Sequence, residues 1–223
     1  MRATDYSVKK TDYSVKKKYI ILAVYCVCFY AVWTVYTFFV RQHINSALIR
    51  NGIIKTTVWV LPAMLLVHKL RDGVQIGLKE MFTTKVRWRR YIWVYALLAV
   101  WALLGGLLQP GGLTFSLTAD SIIAVLFVGI TEEMVFRGWL LNATITDMPQ
   151  WLAILINAAL FALIHFPRFI QEGTLIYSFT SLGVVGIMIL GAIFSLSFLK
   201  SKNLLVPITM HMLYDLLLFA FGI

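Results

Sequence analysis

The chain has 223 residues, of which 60% are hydrophobic and 13% are charged, and its mean hydropathy is +0.82. A soluble domain carries about 25% charged residues, so this composition excludes an ordinary soluble enzyme and indicates a membrane protein. The net charge of +10 does not predict a nucleic-acid partner, because the basic residues flank apolar blocks and form no soluble basic face.

The chain begins with a polar segment that contains the direct repeat TDYSVKK, at 4–10 and again at 11–17. This segment is too short and polar to fold alone, and we expect residues 1–18 to form a basic cytosolic tail. Seven apolar spans follow, with lengths suited to a bilayer, at 19–40, 53–70, 91–109, 121–141, 149–166, 175–199 and 204–222. The predicted fold class is therefore all-α, a polytopic bundle of about seven transmembrane helices.

The second span is the weakest, since it contains a lysine and a proline: Lys55 and Pro62. The loop that follows it, 69–90, mixes basic residues with Leu, Ile, Met, Phe and Trp. This pattern is typical of an interfacial amphipathic helix attracted to anionic lipid headgroups, and equally of a plain cytoplasmic loop.

The orientation follows from the distribution of Lys and Arg. Fifteen of these residues lie on the side of the tail and of 69–90, and four lie on the other side: Arg41, Arg50, Lys55 and Arg168. Because cytoplasmic loops carry the basic excess, we expect a cytoplasmic N-terminus. The predicted location is the cell membrane, which the chain crosses several times, with a bacterial plasma membrane as the expected setting.

The fourth, fifth and seventh spans contain ionisable residues, each of which costs roughly 2.5 to 3.5 kcal/mol near the centre of a bilayer. They are Glu132, Glu133, Arg137, His165, His211 and Asp215. A single polar pair often ties two membrane helices together. Six ionisable residues on three helices instead favour a functional site in the bundle interior.

Helical spacing predicts partners within this set. Glu133 and Arg137 are four residues apart, in the favourable order of acid before base. Glu132 lies about 100° around the helix from its neighbour and can face another helix. His211 and Asp215 are also four residues apart, so the carboxylate can orient the imidazole.

These side chains suit the hydrolysis of an amide inside the membrane. A carboxylate and an imidazole that converge can remove a proton from water, and a second histidine can donate a hydrogen bond to the oxyanion. Equally, four of the residues form an N/O ligand set for a divalent metal such as zinc, with an open position for water: Glu132, His165, His211 and Asp215. The residues alone do not choose between the two mechanisms.

The three helices resemble those of the CAAX prenyl protease and bacteriocin-processing family of intramembrane proteases, also called CPBP or Abi proteins. The family motifs EExxxR, FxxxH and HxxxN/D occur here in order, as Glu132–Arg137, Phe161–His165 and His211–Asp215. The resemblance covers about residues 118–222, which we expect to form the catalytic core. Residues 19–117 carry no family motif and are expected to form N-terminal spans.

The resemblance implies an intramembrane endopeptidase that cleaves a membrane-associated protein or peptide. It implies that Glu132 and His165 activate the water, with Arg137 organising the glutamates. It also implies that His211 and residue 215 line the oxyanion or metal position. The last motif often ends in Asn, whereas an ionised Asp215 cannot donate a hydrogen bond, so we expect it to orient His211 or to bind metal.

Two other functions remain open. One is a non-catalytic membrane protein of the same fold, such as a bacteriocin-immunity factor or a scaffold. The other is a proton-coupled transporter, since buried carboxylates and histidines also build proton relays. The chain shows no inverted repeat, which disfavours transport.

If all spans are straight, Glu132 and His165 are expected at different depths in the membrane. At about 1.5 Å per residue, Glu132 falls near the middle of the membrane and His165 much nearer its outer face. Pro167 should end or kink the fifth span just beyond that histidine. Their convergence therefore requires helices that are tilted, staggered or differently bounded.

Overall fold

The computed structural model describes residues 3–108 and 112–222, with side chains from residue 15 onwards. Over these residues the fold is helical and contains no strand, which confirms the predicted all-α class. The helices are α1 (Ala3–Val35), α2 (Leu61–Lys69), α3 (Glu80–Thr83), α4 (Ile92–Leu107), α5 (Ala119–Glu133), α6 (Asn142–Thr144), α7 (Gln150–Leu163), α8 (Phe166–Gln171), α9 (Leu175–Thr180), α10 (Gly183–Ser201) and α11 (Leu205–Phe221). Wider π-helical turns extend some of them, at Tyr36–Val40, Leu48–Ile54, Thr56–Val60 and Met134–Leu141.

Within the described chain, four helical stretches are long and apolar enough to cross a membrane: Val15–His43, Leu48–Lys69, Gln150–Gln171 and Gly183–Ser201. Two further helices are apolar but shorter, Ile92–Leu107 and Leu205–Phe221. The predicted second span, the weakest in the sequence, is among the first four. The total of seven crossings remains a prediction.

The N-terminal tail differs from its prediction. The repeat at 4–17 is predicted to be too short and polar to fold, but it forms the first part of α1, which runs without a break into the apolar span. Extending an existing helix costs far less than starting a new one, and the repeated segment contains neither Gly nor Pro. The apolar span that follows therefore provides the nucleus from which this polar part of the helix extends.

The basic loop 69–90 is not a continuous amphipathic helix. It contains only short turns, of which α3 is the longest, so the alternative of a plain loop is the correct one. The loop nevertheless packs on the bundle through Asn142, whose side chain accepts from Ile76 N at 2.8 Å and donates to Ile76 O at 2.7 Å. At the same end of the molecule, Lys18 donates to Ala143 O at 2.9 Å. This end of the bundle is therefore closed by polar contacts.

The fifth and sixth predicted spans are both interrupted. Helix α7 ends at Leu163, and Pro167 lies in the first turn of α8, where its missing N–H needs no partner. The fifth span is therefore kinked near Pro167, as predicted, but the break comes at 164–165, before the proline, and the helical stretch continues to Gln171. The sixth span breaks between α9 and α10, at Leu182, whose φ of 62° lies in the left-handed region that such a side chain rarely adopts.

Close helix contacts at two glycines position the second half of the chain. At Gly129, where α5 meets α11, an added Cβ would lie 2.8 Å from Cγ of Met212. At Gly191, where α10 meets α7, it would lie 3.1 Å from Cα of Ala158. Small residues allow membrane helices to approach this closely, so these contacts join α5 to α11 and α10 to α7.

The N-terminal helices join the same core through a cluster of aromatic rings. The Phe29 and Trp59 ring centroids are 4.8 Å apart, those of Trp33 and Trp59 are 4.6 Å apart, and Phe29 also contacts Phe136 edge-on. Phe136 belongs to the π-helical segment that follows α5. The regions expected at 19–117 and 118–222 therefore share one hydrophobic core.

Candidate active site

The predicted site residues converge on one cavity with a volume of about 530 Å³. Four of the six line it: Glu132, His165, His211 and Asp215. The other two are fully buried next to it: Glu133 and Arg137. The three sequence motifs, on separate helices, thus form a single site.

Glu133 and Arg137 form a buried ion pair, as their spacing predicts. Nη1 of Arg137 donates to Oε1 of Glu133 at 2.9 Å, and Nη2 donates to the carbonyl of Gly191 at 2.9 Å. The guanidinium carbon lies 4.4 Å from the ring centroid of Phe161, a cation–π distance. Arg137 therefore connects the glutamate pair to both α10 and α7.

Glu133 also holds His211, a contact that the spacing did not predict. Nδ1 of His211 lies 2.9 Å from Oε1 of Glu133, whereas Nε2 lies 3.5 Å from Oδ2 of Asp215. The expected contact between His211 and Asp215 exists, but it is a long ion pair. The shorter contact, and hence the main orientation of the imidazole, comes from Glu133 on another helix.

His165 lies in the turn between α7 and α8. Its Nδ1 is 3.0 Å from the carbonyl oxygen of Phe161, and because a carbonyl only accepts, Nδ1 carries a proton. In a neutral ring the basic nitrogen is then Nε2. The Phe161 ring packs edge-on against His165 and His211, at centroid distances of 5.4 and 5.8 Å.

The turn at His165 also resolves the difference in depth expected from straight spans. Because α7 ends at Leu163, the histidine lies beyond the helix, and both it and Glu132 line the same cavity. The two residues therefore belong to one site, although straight spans would place them at different depths.

Lys55 belongs to the site, although the sequence analysis did not select it. Its Nζ lies 3.6 Å from Oε1 of Glu132, and the two side chains are only 8% and 9% exposed. The same Nζ lies 5.1 Å from the Trp33 ring centroid and 4.9 Å from that of Trp59. This lysine lies inside the predicted second span and was counted with the basic residues of the non-cytoplasmic side. A lone cation inside an apolar span was the signal that could have identified it.

The proposed metal ligands do not fit a divalent ion in this arrangement. The nearest basic neighbour of Glu132 in the described chain is the ammonium of Lys55, so a fixed cation already lies beside this carboxylate. Among the described residues, no group of three or more His, Cys, Asp or Glu side chains is arranged to hold a metal ion.

Four charged residues that are half-buried or exposed also line the cavity and form its rim. They are three arginines and one glutamate: Arg41, Arg50, Arg168 and Glu172. Arg168 pairs with Glu172 through an Nε to Oε1 distance of 2.7 Å, one helical turn apart. This rim therefore has an excess of positive charge, and the cavity extends from it to the buried Glu132.

Comparison with known protein families identifies the region that carries this site. Residues 114–217 match the family model described as "Type II CAAX prenyl endopeptidase Rce1-like". The match includes all three motifs and covers just under half of the chain. It does not support the bacteriocin-processing part of the expectation, and no curated protein or solved structure matches the chain. The resemblance inferred from the motifs is confirmed to this extent: residues 114–217 match a model of a CAAX prenyl endopeptidase family.

Proposed function

We propose that this protein is an intramembrane endopeptidase that hydrolyses a peptide bond with a water activated by Glu132 and His165. The observation that carries the proposal is the convergence of three motifs, from separate helices, on one cavity among apolar helices. Both residues line that cavity, and the matched region is of a protease family.

The chemistry requires one base, one donor to the oxyanion and one water. Glu132 accepts a proton as the water oxygen attacks the carbonyl carbon, with the basic nitrogen of His165 holding the water. The oxyanion of the tetrahedral intermediate accepts a hydrogen bond from Nε2–H of His211 in its doubly protonated form, because Nδ1–H is donated to Glu133. The C–N bond then breaks and the proton passes to the leaving nitrogen, which gives a carboxylic acid and an amine.

The buried pair has a supporting role in this proposal. Oε1 of Glu133 accepts from both Arg137 and His211, so this carboxylate is occupied and does not serve as the base. Its contact holds the imidazole towards the cavity. Asp215, at 3.5 Å from the same ring, adds charge beside it without replacing that contact.

The arrangement in the membrane is part of the proposal. We infer seven crossings with a cytoplasmic N-terminus, because the chain carries its basic excess in the tail and in 69–90. Lys18 donates to the carbonyl of Gly73, which supports placing the two segments at the same end of the bundle. The loop 69–90 would then face the anionic headgroups of the inner leaflet. Residues 19–117 supply supporting spans, and 118–222 form the catalytic core. The arginine rim of the cavity lies at the opposite end, on the non-cytoplasmic side.

The substrate class follows from the same geometry. A site buried among apolar helices suits a membrane-embedded or membrane-associated protein or peptide. Three arginines against one glutamate on the rim favour a substrate with an anionic group near the bond that is cleaved, since guanidinium groups bind carboxylates with strong paired hydrogen bonds.

The test compares the peptides released in membranes that contain the wild-type protein or Glu132→Gln, each at verified equal abundance. We expect a set of cleavage products that disappears in the variant. If Glu132→Gln, His165→Ala and His211→Ala all retain the biological effect of the wild type, the protein acts without catalysis and the protease proposal is wrong.

A further inference from the structure

We propose that Lys55 is a positioning residue of this active site, which keeps Glu132 ionised and aimed at the water. The proposal rests on the function proposed above, in which Glu132 is the base. Lys55 lies outside residues 114–217, so the family match assigns it no role.

Burial makes a partner for Glu132 necessary. An ionised carboxylate that is removed from water is costly unless a counter-charge or hydrogen bonds accompany it. In the described chain, Lys55 is the basic side chain within 4.0 Å of a Glu132 oxygen. The nearby Arg137 is already committed to Glu133 and to the carbonyl of Gly191.

The distance between Lys55 and Glu132 suits a carboxylate that acts as a general base. At 3.6 Å the ion pair is longer than a hydrogen bond, which spans about 2.7 to 3.2 Å. The Lys55 ammonium therefore stabilises the negative charge of Glu132 without donating a hydrogen bond to its carboxylate oxygen. That oxygen remains able to accept a proton from water. Glu133 is the contrast: its Oε1 accepts two contacts at 2.9 Å and is occupied.

Two tryptophans hold the ammonium in this place. The ring centroids of Trp33 and Trp59 lie 5.1 and 4.9 Å from Nζ, within the range of a cation–π interaction. The two rings pack edge-on against each other. Trp33 also donates through Nε1 to the carbonyl of Ile164 at 2.7 Å. Because Ile164 precedes His165, this contact connects the lysine site to the backbone beside the second residue of the proposed water site.

Lys55 differs in position from Lys18, another buried lysine that pairs with an acid. Lys18 is also buried and pairs with an acid, Asp147, but it lies at the closed end of the bundle and lines no part of the cavity. Lys18→Met therefore provides a control, since it removes a buried lysine and breaks its ion pair with the partly exposed Asp147, away from the site.

The experiment measures kcat and KM for Lys55→Met, Lys55→Arg and Lys18→Met, on a peptide substrate identified in the wild-type comparison. We expect Lys55→Met to lower kcat by about 100-fold, with KM within about twofold, because a positioned base contributes about 10²- to 10⁴-fold. Lys55→Arg keeps the cation between the indoles and should recover at least about a tenth of wild-type kcat. Lys18→Met should lower protein abundance but leave kcat within about twofold.

The outcomes separate this inference from the proposed function. Wild-type kcat in Lys55→Met, with Glu132→Gln inactive, overturns the role of Lys55 and leaves the protease proposal in place. Full activity in Glu132→Gln overturns the proposed base itself. A failure of Lys55→Arg to recover activity also contradicts the role of the charge. If Lys55→Met does not accumulate, Lys55→Gln replaces it, with the same expected loss.

Discussion

Replacing Arg137 with Met should destabilise the whole bundle. The change leaves the carboxylate of Glu133 buried, with His211 as its remaining partner, and removes the hydrogen bond to Gly191. At the observed 2.9 Å and an effective dielectric constant of about 20, the Coulomb attraction of the pair is about 6 kcal/mol. Part of this offsets the cost of burying both charges, so the net loss expected from removing one partner is about 3 to 5 kcal/mol. Domains have a total stability of about 5 to 15 kcal/mol.

The assay is the free energy of unfolding of the purified protein in detergent, with abundance in the membrane as a second readout. Arg168→Met is the matched control, because it also breaks an arginine–glutamate pair four residues apart, but an exposed one. Such surface pairs contribute about 0 to 1 kcal/mol. The double variant Glu133→Gln with Arg137→Met leaves no buried carboxylate unpaired and should recover part of the loss. Equal unfolding free energies for Arg137→Met and Arg168→Met would refute the reasoning.

The remaining predictions concern the base, the last motif and the topology. Glu132→Gln should abolish cleavage at normal abundance, whereas Glu133→Gln should mainly lower abundance; cleavage assays paired with immunoblots check this, and the reverse pattern would mean that the two glutamates exchange roles. Asp215→Asn should retain at least about a tenth of wild-type kcat, because the shorter contact to the imidazole comes from Glu133; complete inactivity would show that the carboxylate itself is needed. A single cysteine at position 112 should react with an impermeant reagent added outside cells, and one at position 72 should not; labelling of position 72 alone would reverse the orientation.

Contacts within one helix could be predicted from the sequence. The i, i+4 spacing correctly paired Glu133 with Arg137 and placed Asp215 next to His211, because the geometry of a helix fixes which side chains are neighbours. The kink of the fifth span near Pro167 followed from the chemistry of a single residue. The all-α class followed from the long apolar blocks.

Contacts between helices could not be predicted in this way. The pairs Glu133–His211 and Glu132–Lys55 depend on how helices pack, and neither spacing nor composition encodes that arrangement. Lys55 lies inside the predicted second span, but it was counted with the basic residues of the non-cytoplasmic side rather than with the ionisable residues of the site. The polar repeat near the N-terminus was judged in isolation, whereas its helix is continuous with the span that follows.

The hydrogen bond from Arg137 to Gly191 ends on a backbone carbonyl, not on a side chain. No substitution at position 191 can therefore delete the acceptor; only a displacement of α10 can. An added Cβ there would meet the α7 backbone at 3.1 Å, so even an alanine should push the two helices apart and move the carbonyl away from the guanidinium. The same arginine holds Glu133, and Glu133 holds His211. The interhelical spacing at one glycine is thus transmitted by three polar contacts to the imidazole in the cavity. Bulk added at this glycine, on the side of α10 that faces α7, should alter catalysis without touching the substrate.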